Sequence, residues 1–325
     1  MNLSYRPDSL FVIRAGYGRT VDRPEFRELA PINDFDYIDN ENIQGNPALV
    51  SSTIDNYDLR AEFYPHSAAQ NEVFNVGLFY KHLQDPIERL RLSQSGLTDF
   101  SSLATISFNN AVSAQVYGVE VEAKKSLSFL GGGLFRRLSI VVNGALIKST
   151  TVQQILDGSG NIHDTGVTVQ GRPLQGQSPY VLNGGLFYEN PAWGTKAGIT
   201  YNVNGPTIYA KSLGNSHSPF QVSQSGQTRD SSIFESIRPD LLQLPMQLLD
   251  FSITQRIIKS LQVKFSIQNL LDQPYRIVED HNYNQKYDPE VLTPGNSGYY
   301  YYKGDDLYEK YKPGRYFLMQ LTYAF

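Results

Sequence analysis

The chain contains no cysteine in 325 residues. That absence excludes disulfide scaffolds, Cys-ligated zinc, iron–sulfur clusters and thiol catalysis. A basic surplus is missing too: 28 Lys+Arg stand against 32 Asp+Glu, a net charge of −4. Without excess positive charge to neutralise phosphates, nucleic acid is not an expected partner. Long apolar runs are also absent. Glycine aside, no run exceeds about four residues, as in Leu10-Phe11-Val12-Ile13 and residues 299–302, far short of the about 20 residues a transmembrane helix needs. The opening Met1-Asn2-Leu3-Ser4-Tyr5-Arg6-Pro7 lacks a basic segment followed by an apolar one, so no signal peptide is read there. Tryptophan occurs once and methionine three times.

What is present is a tyrosine- and phenylalanine-rich chain, with 22 Tyr and 17 Phe. Such rings favour strands, and tyrosine suits a boundary where one end of the ring is wet. With 18% charged and 40% hydrophobic residues, wholesale disorder is excluded. A period of two runs through the sequence. Phe317, Met319, Leu321, Tyr323 and Phe325 share one face, and Leu261, Val263, Phe265 and Ile267 alternate with Gln262, Lys264, Ser266 and Gln268. Leu249, Phe251, Ile253 and Ile257 do the same against Asp250, Ser252, Thr254 and Arg256. Further strands are predicted around 57–63, 74–80, 117–123 and 138–142, with less regular ones at roughly 9–19, 178–189 and 192–209. The pattern predicts about ten strands with one apolar and one polar face, and no helix.

The connections alternate in length. Long ones span roughly 20–53, 93–112, 150–177, 210–245 and 281–313; short ones lie near 65–70, 130–133, 190–191 and 259–260. In an up-and-down antiparallel sheet every second connection falls at the same end, so the long loops share one side and the tight turns the other. Outer-membrane barrels have this asymmetry, with long extracellular loops and short periplasmic turns. The mean hydropathy of −0.35 does not oppose that reading, because barrel strands are half polar. A soluble β-sandwich binding module alternates as well and remains the alternative. Strands of about 9–11 residues favour a tilted membrane span.

Several segments then resemble one family, the TonB-dependent outer-membrane receptors, particularly those of Bacteroidetes type. They are Gly16-Tyr17-Gly18-Arg19-Thr20-Val21-Asp22-Arg23-Pro24-Glu25-Phe26-Arg27-Glu28-Leu29-Ala30-Pro31, Gly45-Asn46-Pro47-Ala48-Leu49, Asn56-Tyr57-Asp58-Leu59-Arg60-Ala61-Glu62, Phe79-Tyr80-Lys81, Pro86-Ile87-Glu88 and Tyr117-Gly118-Val119-Glu120. The series closes with Asn269-Leu270-Leu271-Asp272-Gln273-Pro274-Tyr275, Pro313-Gly314-Arg315-Tyr316-Phe317 and the aromatic end Tyr323-Ala324-Phe325. The resemblance implies a location in the outer membrane of a Gram-negative bacterium, with outer-membrane lipid as a partner. It also implies active transport of a siderophore, cobalamin or oligosaccharide, driven by a TonB complex. Family members enclose an N-terminal plug in a 22-stranded barrel. Residues 1–325 read as one domain matching the last ten strands, with plug, signal peptide and TonB-contact segment absent from the match. A self-closed small barrel, a porin or a protease, is the alternative, and closure is not expected.

Candidate site residues follow from position. Tyr299, Tyr300, Tyr301 and Tyr302, in the most tyrosine-rich loop, are the candidate ligand contacts. Asp58, Arg60, Glu62, Asp250, Arg256, Lys264 and Gln268 fall on the polar side of their strands and are expected to face the lumen. Asp34, Asp36, Asp39, Asp305 and Asp306 supply oxygen ligands but lack the spacing of a calcium loop. His66, His82, His163, His217 and His281 show no paired spacing for zinc or iron and are expected at the surface. No metal or cofactor is expected, and no catalytic residue. The only protease-like pairs, Asp280-His281 and His163-Asp164, are sequence neighbours, which point to opposite faces of a strand. Gly131-Gly132-Gly133 and Gly158-Ser159-Gly160 read as turn glycines.

Overall fold

The computed structural model describes residues 1–37, 41–65, 72–92, 105–154, 168–212, 239–280, 284–288, 293–294, 300–301 and 305–324. Its first strands are β1 (Asn2–Tyr5), β2 (Phe11–Asp22), β3 (Asn33–Asp36), β4 (Glu41–Gln44) and β5 (Ser52–Phe63). Next come β6 (Val73–Gln84), β7 (Ile87–Leu92), β8 (Thr105–Asn110), β9 (Ser113–Ser126) and β10 (Leu138–Gln154). They are followed by β11 (Thr168–Arg172), β12 (Tyr180–Asn190), β13 (Thr195–Asn204), β14 (Thr207–Ser212), β15 (Asp240–Gln243) and β16 (Met246–Ile258). The last are β17 (Leu261–Gln268), β18 (Tyr275–Asp280), β19 (Thr293–Pro294), β20 (Tyr300–Tyr301), β21 (Asp306–Tyr311) and β22 (Tyr316–Tyr323).

A wall is formed in the order β1-β2-β5-β6-β9-β10-β12-β13-β16-β17-β22, with β11 paired to the end of β10. Leaving out the short β1, its strands are the ten that the alternating pattern predicts. The hairpin connections at 64–72, 127–137, 191–194 and 259–260 lie at one end of the wall, and the long segments lie at the other. At the Gly131–Gly132 turn both glycines take positive φ, 74° and 75°, a conformation open to glycine without steric penalty. The wall is open: β1 and β22 stand at opposite ends of the order.

Register makes one face of the wall continuous. Tyr17 pairs with Tyr57, Tyr57 with Tyr80, and Tyr80 with Tyr117, so four tyrosines form one row. The first two contacts have ring centroids 5.1 and 6.1 Å apart. Leu59, Leu78, Val119 and Leu146 make the next row. Near the turn end Phe11 stacks on Phe63 at 4.6 Å, and Phe63 pairs with Phe74. The same face carries Leu186, Ile199, Phe251 and Ile267, then Phe317. Leu146 is 70% exposed and Phe317 66%. So much contiguous apolar surface is not left in water by a soluble domain; covering it with lipid stabilises by about 1.5–3 kcal/mol per large side chain.

The long connections hold more structure than the sequence pattern predicts. A second, eight-stranded sheet is built from them in the order β21-β18-β15-β14-β7-β8-β4-β3. Two of its pairs are parallel, β7 with β14 and β4 with β8. Direction explains this. β7 and β14 both continue strands leaving the wall, while β4 and β8 both lead back into it. Residues 192–209 are therefore not one strand: the chain breaks at Gly205-Pro206, and β14 belongs to the second sheet. Helices are not wholly absent either. Single turns occur at Phe26–Leu29, closed by a Glu25/Glu28 capping box, and at Gly132–Phe135. One turn is too short to show a helical period.

The second sheet lies over the polar side of the wall. At the mouth end that side turns apolar: Leu83, Ala114 and Val116 cluster with Ile54, Phe79, Ile147 and Leu174. Leu174 comes from the segment after β11, and its N–H donates to Ser149 Oγ at 3.0 Å. Gly118 permits this layer, since a Cβ there would sit 2.7 Å from the Phe79 ring and 2.4 Å from the Leu146 carbonyl oxygen.

Candidate functional site

Polar side chains gather in two places, on the polar side of the wall and where the second sheet meets it. On the wall, Arg14 of β2 and Arg60 of β5 are directly paired in register. Like charges in that position repel. Glu62 relieves the repulsion, accepting from Arg14 Nε at 3.0 Å and lying 3.3 Å from Arg60 Nε. Tyr64 donates to it as well, at 2.9 Å. Arg60 continues to Glu122 at 3.3 Å, which accepts from Asn75 at 2.7 Å. Four strands are thus crossed by one charged chain, and Glu62 is buried within it.

The sequence-predicted polar residues do not converge on one point. Arg60 and Glu62 belong to the charged chain, and Asp58 stands exposed two residues away. On the far side of the wall Asp250 accepts from the Asn269 N–H at 2.8 Å, near the mouth. Arg256 donates to the Pro191 carbonyl at 2.9 Å, at the turn end. Lys264 lies midway along β17, opposite Gln320, and Gln268 lies opposite Tyr316. Of the four tyrosines, Tyr300 and Tyr301 form β20, paired with β19; Tyr299 and Tyr302 lie outside the described residues.

Sequence reasoning missed the second gathering. Lys211 of β14 is fully buried and pairs with Glu88 of β7, also buried. Its ammonium donates to Thr151 Oγ1 at 2.9 Å, and Gln153 donates to Glu88. Burial pushes the Lys211 ammonium below its ordinary pKa, and the Glu88 charge opposes that shift. Alongside, Arg172 of β11 pairs with Asp240 of β15 and donates to the Ser212 carbonyl at 3.0 Å. Arg91 meets Glu279 at 2.6 Å. These pairs bind β7, β14, β15 and β18 to one another and to the β10–β11 hairpin. Two guanidiniums also lie over tyrosine rings, Arg89 on Tyr209 at 4.4 Å and Arg91 on Tyr308 at 5.2 Å. The one local signal was the short alternation Arg89-Leu90-Arg91-Leu92, which reads as a strand without showing which charges are buried.

Asp280 ends β18 and is buried. Desolvation, with smaller contributions from Asp305 and Asp240, raises its carboxyl to about 6. The N–H groups of Gln285 and Asn284, donating at 2.9 and 3.2 Å, act in the opposite direction. His281, His163 and Asp164, the other members of the protease-like pairs, lie outside the described residues. So do His66, His217 and Asp39. His82 is half-buried and stands opposite Asp55. Asp34 and Asp36 are held by Arg27 at 3.3 and 3.8 Å. Asp305 accepts from the Asp288 N–H at 2.8 Å. Among the described residues no group of three or more His, Asp or Glu is placed to hold a metal ion.

This geometry is shared by known proteins. Residues 1–270 match the model of the family described as TonB dependent receptor-like, beta-barrel. Among solved structures the whole chain superposes on the ferric enterobactin receptor PfeA from Pseudomonas aeruginosa, with 18% identity and a TM-score of 0.53. It superposes likewise on the siderophore receptor PirA from Acinetobacter baumannii (13%, 0.53) and on the copper transporter OprC (15%, 0.55). It covers 40% of the first two and 39% of the third. No curated protein matches it. At these identities the structural likeness speaks for the fold, and the family match covers most of the chain. With its exposed apolar face, antiparallel wall and one-sided long connections, the chain belongs to the TonB-dependent receptor-like β-barrel family and is an outer-membrane protein.

Proposed function

We propose that the chain forms one side of an outer-membrane uptake receptor, with the apolar face in lipid and the polar side of the wall lining the lumen. The observation that carries this reading is the register. Every wall strand contributes apolar residues to one face, and the tyrosine row Tyr17-Tyr57-Tyr80-Tyr117 sits toward the end that carries the long connections, as an interfacial girdle does. Asp58, Arg60, Glu62, Asp250, Arg256, Lys264 and Gln268 then line the conduit. The open edges β1 and β22 call for further strands, because unpaired backbone groups in hydrocarbon cost several kcal/mol each. In this reading the remaining strands and a plug belong to the same receptor, and a TonB complex acts through that other part.

The mouth sheet is the ligand-facing part, with Arg89–Tyr209 and Arg91–Tyr308 giving it cationic and aromatic character and the 299–302 tyrosines adding to it. The cargo is a small nutrient of the siderophore, cobalamin, oligosaccharide or metal type, and the chain is a transport component without catalysis. Accumulation of each class should be measured in source cells carrying and lacking the gene. Loss of energised uptake of one class, restored on re-expression, is expected; unchanged uptake of all classes would contradict the proposal.

A further inference from the structure

The turn end of the wall carries a surface that the uptake reading does not use. Between β9 and β10 the chain forms a small tongue with Phe129, Leu130 and Leu134 exposed at 66%, 55% and 59%. In the next turn at that end, Trp193 is 69% exposed. Each turn sets a ring beside a cation. Lys125 Nζ lies 5.7 Å from the Phe129 ring centroid, and the Arg137 guanidinium 5.9 Å from that of Trp193.

These groups continue the apolar face of the wall. Lys125 stands in register with Ile140, and Arg137 reaches the hydroxyl of Tyr188 at 3.5 Å. Ile140 and Tyr188 both belong to the row system that includes Leu186. Charge is unbalanced here. Lys125 is offset by Glu72 at 2.7 Å, but Arg136 and Arg137 have no carboxylate partner among the described residues. Adjacent exposed guanidiniums beside exposed rings, at the edge of a lipid-covered face, fit a headgroup layer: the rings sit at the interface and the cations meet phosphate.

We propose that the 127–137 tongue and the 191–194 turn form a binding surface for anionic phospholipid headgroups of the periplasmic leaflet, with Arg136 and Arg137 holding the phosphate and Phe129 and Trp193 seated among the glycerol groups. The inference rests on the outer-membrane placement of the wall. It adds a lipid preference to one end of it.

Trp193 is the only tryptophan in the chain, so once any tryptophan elsewhere in the receptor is replaced by phenylalanine its fluorescence reports on this turn alone. The complete receptor that carries this chain is refolded into phosphatidylcholine vesicles containing a small fraction of dansyl-labelled phosphatidylglycerol or, separately, dansyl-labelled phosphatidylcholine. Energy transfer from Trp193 should be at least about threefold greater to the anionic probe. Joint Arg136→Gln and Arg137→Gln should abolish the preference. Lys310→Gln, at the mouth, should leave it intact, and inorganic phosphate should not compete. Equal transfer to both probes in the unaltered chain would overturn the proposal, as would competition by free phosphate. If the double variant disturbed the turn, Trp193→Phe with Phe129→Trp moves the reporter to the neighbouring pair, where the same preference is expected and its absence counts against the proposal. Insertion is followed separately by protection of the wall from protease, so a complete receptor that fails to insert contradicts the membrane placement rather than the lipid preference.

Discussion

The wall and the mouth sheet use the same residue types in opposite ways. In the wall, large apolar side chains lie outside and charges such as Arg14, Glu62 and Arg60 bridge neighbouring strands on the inner side. In the mouth sheet, Ile106, Leu241 and Ile277 form an ordinary buried core, and Lys211 and Glu88 are buried with it. The solvent differs, and so does the arrangement. A wall strand needs only its neighbours and lipid, so its instructions are local. The mouth strands are joined by contacts across 123 residues, as between Lys211 and Glu88.

Separate substitutions in the two regions break this comparison to different degrees. The largest expected effect is Lys211→Met, which leaves the Glu88 carboxylate buried without its cation and should cost about 3–5 kcal/mol. Adding Glu88→Leu should recover most of the loss. Denaturant unfolding of the complete receptor, with hydrogen exchange in β7 and β14, measures both; a double variant as weak as the single one would count against the buried pair. Next comes Phe265→Arg on the apolar face, at about 2–4 kcal/mol in lipid. Lys264→Arg, one residue away on the opposite face, should cost far less. Equal costs would contradict the facing of β17.

Smaller is the pH effect at Asp280. Its folded pKa of about 6 lies above the ordinary carboxylate value, so the folded state binds the extra proton. Its contribution is favourable at acid pH and is lost as pH rises through about 6. Asp280→Asn should flatten that dependence and stabilise the mouth sheet at pH 8 by on the order of 1 kcal/mol. A slope unchanged by the substitution would remove Asp280 from the account. The smallest effect belongs to Tyr57→Ala, which removes the middle ring of the tyrosine row at a pair value of about 1 kcal/mol beyond lost area. Comparison with Leu59→Ala in the same strand separates ring contact from burial.

The contrast also explains what could be read from the chain. Alternation at Leu261-Val263-Phe265-Ile267 and in the other wall strands carries their existence and facing, because period two is the whole requirement of a two-faced span. The mouth strands escaped. Asp240–Gln243 and Asn33–Asp36 are four residues each, too short for a pattern. Nothing local tells that β7 meets β14 in parallel. Lys211 looks like any loop lysine until Glu88 is brought against it. Conversely, of the polar residues named from strand facing only Arg60 and Glu62 join a charged chain, with Arg14 and Glu122, and the others hold separate positions rather than a single site.

The central claim is that one face of the wall meets lipid and the other water. Because the chain contains no cysteine, single cysteine replacements from Gln262 to Ile267 in the complete receptor, cleared of any cysteine elsewhere, give a direct test, each labelled with an environment-sensitive probe after insertion into bilayers. A period of two is expected, with Val263→Cys, Phe265→Cys and Ile267→Cys in an apolar setting and Gln262→Cys and Lys264→Cys open to aqueous quencher, while Ser266, buried on the polar side, is left out of the series. Uniform accessibility along β17, or the opposite phase, would contradict it.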